Sequence, residues 1–298
     1  MRGLFFRLHP ARHFGRREMA LFGDLSFATL SDMAIRIGCG SWADAEYMGL
    51  LYPKAFPPEL RLCAYAMWFD HVEVNATYYA IPQKEAVEKW VEQTPASFLF
   101  DVRLPRAISQ SPEKAGKDGR LPAILLKSLE PLMQTKKLGT FLLVLSPFFN
   151  PARHRLEELD PLIKRLRPHS LAVELRHSDW VSGKLRASTL DFFRERKLTW
   201  VSVDMPRIKG SELMPVVDEV TQPQLAYLRL HGRNPRYLKV KSAAERHTYL
   251  YDEEELSELA QRVRLLSGKA ENIRVVANNH ALDYAPRTAL ALKELLEQ

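Results

Sequence analysis

Beyond residue 34 the chain alternates short apolar runs with longer stretches that mix apolar and charged positions. The runs, each bounded by turn residues, predict strands: IRIGC (35–39), HVEVN (71–75), FLFDVRL (98–104), TFLLVL (140–145), LAVEL (171–175), TWVSVD (199–204), LAYLRLH (225–231) and IRVVAN (273–278). Helix-patterned stretches lie between most of them: PELRLCAYAMWF, QKEAVEKWVEQ, LPAILLKSLEPLMQ, LEELDPLIKRLR, KLRASTLDFFRER, EEELSELAQRVRLL and RTALALKELLEQ. In the last two, apolar residues recur at three and four, as an amphipathic helix requires. After the sixth run, KGSELMPVVDE makes a poor helix. Eight strands with intervening helices over this length predict an α/β fold, a (β/α)8 TIM barrel in a single domain at 34–298. A doubly wound open sheet is the alternative. No G-x-G-x-x-G or GxxxxGK[ST] follows any strand, so the usual dinucleotide and phosphate-loop signals are missing.

Residues two apart on a strand share a face. Glu73 and Asn75 therefore oppose Val72 and Val74, and Asp101 and Arg103 oppose Phe100 and Val102. Likewise Glu174 and Arg176 oppose Val173 and Leu175, Ser202 and Asp204 oppose Val201 and Val203, and Arg229 and His231 oppose Leu228 and Leu230. In a barrel the apolar faces are expected to meet the helices and the polar faces to point at the axis. Charges on an axis are costly unless paired or solvated. They concentrate at the C-terminal ends of the strands, where barrel enzymes place their sites.

Composition narrows this little. Hydrophobic residues make up 46% of the chain, enough for a large core, and the longest apolar run, GTFLLVLSPFF, is too short to cross a membrane. No membrane partner is expected. Cys39 and Cys63 lack CxxC spacing, which argues against a disulfide framework or structural zinc and fits the cytoplasm. The net charge of +7 favours anionic partners, although no block of five like charges occurs. Residues 1–33 stand apart: MRGLFFRLHPARHFGRR carries five arginines and no acid. They are read as a basic N-terminal extension, flexible or peripheral to the barrel; a transit-like peptide or a start at Met19 or Met33 are the alternatives.

The stretches IGCGSW (37–42), VEVNATYYAIP (72–82), ELRHSDW (174–180), VSVD (201–204), YLRLHGR (227–233), YLYDEEEL (249–256) and NNHALDYAPRTALALKEL (278–295) resemble, in order and spacing, the YecE-like proteins grouped as domain of unknown function 72. The resemblance implies a (β/α)8 barrel and a site at its mouth, but no reaction. Three positions depart from the family pattern: Val144 stands where Gln is expected, Arg103 where Lys is common, and Thr288-Ala289 where Asn-Ala is usual.

The mouth of such a barrel would gather Glu73, Glu174, Asp204 and His231 as catalytic candidates. Trp42, Asn75, Tyr78, Arg103, Arg176, His177, Arg229, Arg233, Asn278 and Asn279 are the substrate-binding candidates. Trp180, Ser41 and His280 lie beside them. Arginines that hold a phosphate or carboxylate, with Glu174 or Glu73 as base or acid and His231 as complement, would make a hydrolase, lyase or isomerase of a small anionic, possibly phosphorylated, substrate. No cofactor is expected and no metal residue is assigned. A divalent metal ringed by Glu73, Glu174, Asp204 and His231 is one alternative, disfavoured by the nearby arginines. Nucleic-acid binding by stacked aromatics and arginines, without chemistry, is the other. Ser41 lacks a G-x-S-x-G context and Cys39 falls on the core parity, so no nucleophile stands out.

Overall fold

The computed structural model describes residues 34–279 and 281–297. The expected extension at 1–33 and the neighbouring His280 fall outside them. Eight strands form one sheet: β1 (Ala34–Cys39), β2 (His71–Val74), β3 (Leu99–Arg103), β4 (Leu138–Val144), β5 (Leu171–Glu174), β6 (Thr199–Asp204), β7 (Ala226–Leu230) and β8 (Asn272–Ala277). Their order is β1-β8-β7-β6-β5-β4-β3-β2, and every ladder is parallel. With the helices between them this is the expected barrel. The long β3–β4 connection holds four short helices between Arg106 and Gln134, where the sequence pattern predicts one. Glu130-Pro131 starts the last of them, because proline suits a first turn and not a helix interior.

β1 and β2 are the two ends of the strand order, and no backbone ladder joins them. Side chains close this seam. The Tyr65 hydroxyl accepts from the Cys39 N–H at 2.8 Å and donates to the His71 carbonyl at 3.1 Å. Nearer the mouth, the Asn75 amide donates to the Gly40 carbonyl at 3.2 Å. Gly38 leaves the room for this bridge: a Cβ there would stand 2.4 Å from the His71 carbonyl oxygen and 2.9 Å from the Tyr65 hydroxyl.

The polar faces of β2, β3, β5 and β7 point at the axis, as the alternation predicts. Their apolar faces are buried outward; Phe100, for example, stacks on Trp90 of the helix Lys84–Glu92. β6 is inverted. Trp200 Nε1 and the Ser202 hydroxyl both donate to the Val217 carbonyl, at 2.9 and 3.0 Å, in the irregular segment that leads to β7. The Asp204 carboxylate meets Arg262, on the outer helix Glu253–Ser267, at 2.8 Å. It also takes two bonds of 2.9 Å from Arg233 and one of 2.8 Å from Tyr251. The physical reason is the missing helix after β6. The loop covers this strand with the Val217 carbonyl, and Arg262 of the outer helix and Arg233 after β7 reach Asp204, so its outward face is the polar one, and Val201 and Val203 face the axis. Asp204 and Arg233 therefore leave the mouth to which the sequence assigned them.

Below the mouth, the axis holds Arg36, His71, Asp101 and Arg274. His71 is fully buried, and burial, then Arg274 and Arg36, push its pKa well below the ordinary histidine value. Neither ring nitrogen has a hydrogen-bond partner. Burial pushes the Asp101 carboxyl up to about 6, against the pull of Arg274.

Two predictions follow from these buried charges. Asp204→Asn weakens a buried carboxylate that three cationic or phenolic groups depend on. It should cost about 3 kcal/mol, read as a drop of roughly 6–12 °C in Tm. Folded His71 stays neutral while the unfolded residue takes a proton below about 6.5. Stability should thus fall as pH drops through that value, by up to about 1.4 kcal/mol per pH unit for this group. His71→Gln should flatten the pH 5–7 dependence of Tm. Asp101 acts in the opposite sense in both proteins, so the difference isolates the histidine; an unchanged slope would refute the assignment.

Candidate functional site

Glu73 of β2, Glu174 of β5 and Arg229 of β7 meet on the axis just under the mouth. Arg229 Nε and Nη2 donate to the two oxygens of Glu73 at 3.0 and 2.7 Å, and Nη1 donates to Glu174 Oε2. The Tyr227 hydroxyl adds a bond of 2.9 Å to Glu73. All four side chains are buried. Burial alone would lower the Arg229 pKa, but the two carboxylates raise it above its ordinary value. The parity that exposed these residues in the sequence is the reason they meet.

A chain of hydrogen bonds leads from the rim to this cluster. Arg103 Nη1 donates to Asn75 Oδ1 at 3.1 Å, Asn75 Nδ2 to Asn278 Oδ1 at 3.3 Å, and Asn278 Nδ2 to His231 Nδ1 at 3.0 Å. Arginine can only donate, so every amide in the chain has one orientation and His231 Nδ1 must accept. The proton of neutral His231 then lies on Nε2, which is 3.4 Å from Glu174 Oε2. Burial, opposed by Glu174, pushes the His231 pKa down to about 3. His247 packs beside it, ring centroids 5.3 Å apart, and is pushed down to about 4, chiefly by burial.

Two guanidiniums are partly open at the rim. Arg176 Nη2 donates to the Tyr237 hydroxyl at 2.9 Å, and its Nε lies 3.4 Å from Glu174 Oε1. Arg103 sits over the Tyr78 ring at 4.1 Å. Burial first, then the charges of Arg229 and Arg176, lower the Arg103 pKa against the pull of Glu73 and Glu174. Its Nε has no hydrogen-bond partner, nor has Glu174 Oε1. Burial would raise the Glu174 pKa, yet Arg229, His231 and Arg176 together hold it well below the usual carboxylate range.

Glu73, Asn75, Tyr78, Arg103, Glu174, Arg176, Arg229, His231 and Asn278 thus come together. Five candidates do not. Asp204 and Arg233 face the outer helix. Trp42 packs edge-on against Trp90 at 5.3 Å and Phe100 at 6.4 Å, outside the barrel wall. His177 accepts from the Asp179 N–H at 3.3 Å and pairs with Glu212 at 3.3 Å, fixing the turn after β5. Asn279 ties the Tyr249 carbonyl to Thr288 at 2.8 and 3.0 Å. Trp180 donates to the Phe149 carbonyl at 2.7 Å and staples its loop. With Asp204 elsewhere, and Arg229 standing between the two glutamates, the four residues read as a metal ring do not converge on a cation. Among the described residues no group of three His, Cys, Asp or Glu is placed to hold one. Sequence reasoning missed Tyr227, Tyr237 and His247. Tyr227 shares the Arg229 face and was findable by parity; Tyr237 and His247 sit in an irregular segment without periodicity.

The chain has relatives in sequence and in structure. It is 26% identical over 272 residues to UPF0759 protein YunF of Bacillus subtilis (strain 168), covering 88% of this chain and 95% of that one. UPF0759 protein YecE of Escherichia coli (strain K12) is 30% identical over 162 residues, 53% of this chain and 54% of YecE. Crystal structures of DUF72 family proteins superpose with a TM-score of 0.79 from both Thermotoga maritima and Enterococcus faecalis V583. Their identities are 31% and 29%, and the match covers 89% of this chain in both cases, with 100% and 96% of theirs. The model described as "Protein of unknown function DUF72" matches residues 36–298, and the resemblance read from the sequence motifs holds: the chain belongs to the DUF72 family.

Proposed function

We propose that the barrel mouth is the active site of a non-redox enzyme that binds a small oxyanion-bearing substrate through Arg103 and Arg176 and moves a proton with Glu174. The observation that carries this is Arg103, buried beside two other guanidiniums with its Nε unpartnered. Two carboxylates, Glu73 and Glu174, and three guanidiniums, Arg103, Arg176 and Arg229, leave one positive charge on the set while His231 is neutral. A bound phosphate or carboxylate would offset that charge and supply acceptors to the guanidiniums at the rim.

The same binding tunes the carboxylate. Glu174 is a weak base while Arg176 and Arg229 hold its pKa down. An anion that draws Arg176 toward itself removes part of that field, and the Glu174 pKa rises toward a working value. Its Oε1, free of hydrogen bonds, is the oxygen able to take the proton. His231 is then a positioning residue: both ring nitrogens are committed, and its Nε2–H orients Glu174.

Thermal-shift screening against phosphorylated and carboxylated metabolites should give hits. Arg103→Ala and Arg176→Ala should each weaken the best by about 10- to 100-fold, the range for charge-assisted bonds. Hits that stabilise both variants as well as wild type would remove the mouth from the binding. Against a substrate found this way, Glu174→Gln should keep affinity within a few fold and lose about 100-fold or more in kcat. Loss of affinity with kcat retained would make Glu174 a binding group. Oligonucleotide binding that falls steeply with salt and ignores Glu174→Gln would replace the enzyme with a nucleic-acid binder.

A further inference from the structure

At the opposite end of the barrel a cavity of about 820 Å³ opens among the N-terminal ends of the strands. Its walls are apolar where Leu99, Ile163, Leu171, Leu198 and Leu225 line it. Arg274, third residue of β8, lines it too, and its side chain is only 6% exposed. Asp101 lies 3.6 Å from that guanidinium, Arg36 and Asp70 add their charges nearby, and Arg274 Nε and Nη1 have no hydrogen-bond partner. An arginine so deeply buried ordinarily has its donors filled. Arg167 and Lys197 are exposed at the rim of the same cavity. Among the described residues neither side chain pairs with a carboxylate. The acid at the rim, Glu195, is taken by Arg196 at 3.2 Å, and Arg196 is itself held by Asp160.

We infer that this base cavity is a second ligand site, separate from the mouth, for a small organic molecule carrying a phosphate or carboxylate group that Arg274 receives, with Arg167 and Lys197 at its entrance. An apolar wall with a few convergent donors is the usual construction of a small-molecule site, and the volume lies within the range of such sites. The anion would sit against Arg274 where it lines the cavity. Its apolar body would lie against the leucines. Because the cavity meets the first residues of β3, β5 and β8, a ligand there would bridge strands that the mouth also uses.

Amide chemical-shift mapping of the full chain, titrated with inorganic phosphate and separately with malonate, tests this. Saturable shifts are expected at Ser170, Leu171, Gln224, Leu225 and Asn272 with at least one of the two anions, with a Kd at or below ~1 mM. The Arg176→Ala protein, with the mouth impaired, should show the same base shifts. Arg167→Gln combined with Lys197→Gln, both on the surface, should weaken them about tenfold or more. Arg274→Met should abolish them where it folds, as judged by its amide spectrum, and the rim pair decides where it does not. Shifts confined to the mouth, their absence with both anions, or indifference to the rim variants would overturn the site.

Discussion

Arg229 lies between two glutamates that reach the barrel axis from two strands of the sheet, β2 and β5. Taking three such charges out of water is costly, and only their mutual contact offsets it. The geometry leaves little freedom: the bidentate grip on Glu73 fixes the guanidinium plane, and the remaining nitrogen fixes Glu174. β2, β5 and β7 are far apart in the chain, so this one contact sets the register of the mouth. Deleting the arginine would strand two buried carboxylates, a loss of about 3–5 kcal/mol on the usual scale for such pairs. The cluster is at once the plug of the barrel and the floor of the site. An ion-pair network that merely fills a barrel and one that supports chemistry would share this floor, and the proposed chemistry rests on the partly open guanidiniums of Arg103 and Arg176 above it.

Much of this was legible in the sequence, for a simple reason. Alternation with a period of two marks which residues share a face, and charged residues inside apolar runs mark a face that cannot be ordinary core. Glu73, Glu174 and Arg229 were found that way, and the strand–helix count supplied the barrel. Alternation does not say which face is inside. In β6 the pattern V-S-V-D is indistinguishable from V-E-V-N in β2, yet the two point opposite ways. What decides is the covering element, and the weak helical pattern of KGSELMPVVDE was the signal that β6 would be covered by carbonyls and arginines in place of leucines. Trp42 and His177 failed for a related reason: proximity to a strand end says that a residue is near the mouth, and not that its side chain turns toward it.

The hydrogen-bond chain from Arg103 to Glu174 has a direction because each end is chemically one-sided. A guanidinium has no acceptor and an ionised carboxylate has no donor. The two asparagines and the histidine between them have no alternative arrangement that satisfies all partners. Two rings that burial keeps neutral, His231 and His247, therefore add rigidity to the mouth without adding charge.

Asn75 belongs to that chain and also to the seam. The same amide nitrogen that reaches Asn278 donates to the Gly40 carbonyl across the unladdered edge between β1 and β2. The barrel is thus less a continuous hoop than a strap with a clasp, fastened by one phenol and one carboxamide. Anything that draws Asn75 toward the opening pulls on the fastening, and the circumference of the barrel and the occupancy of its mouth become two readings of the same bond.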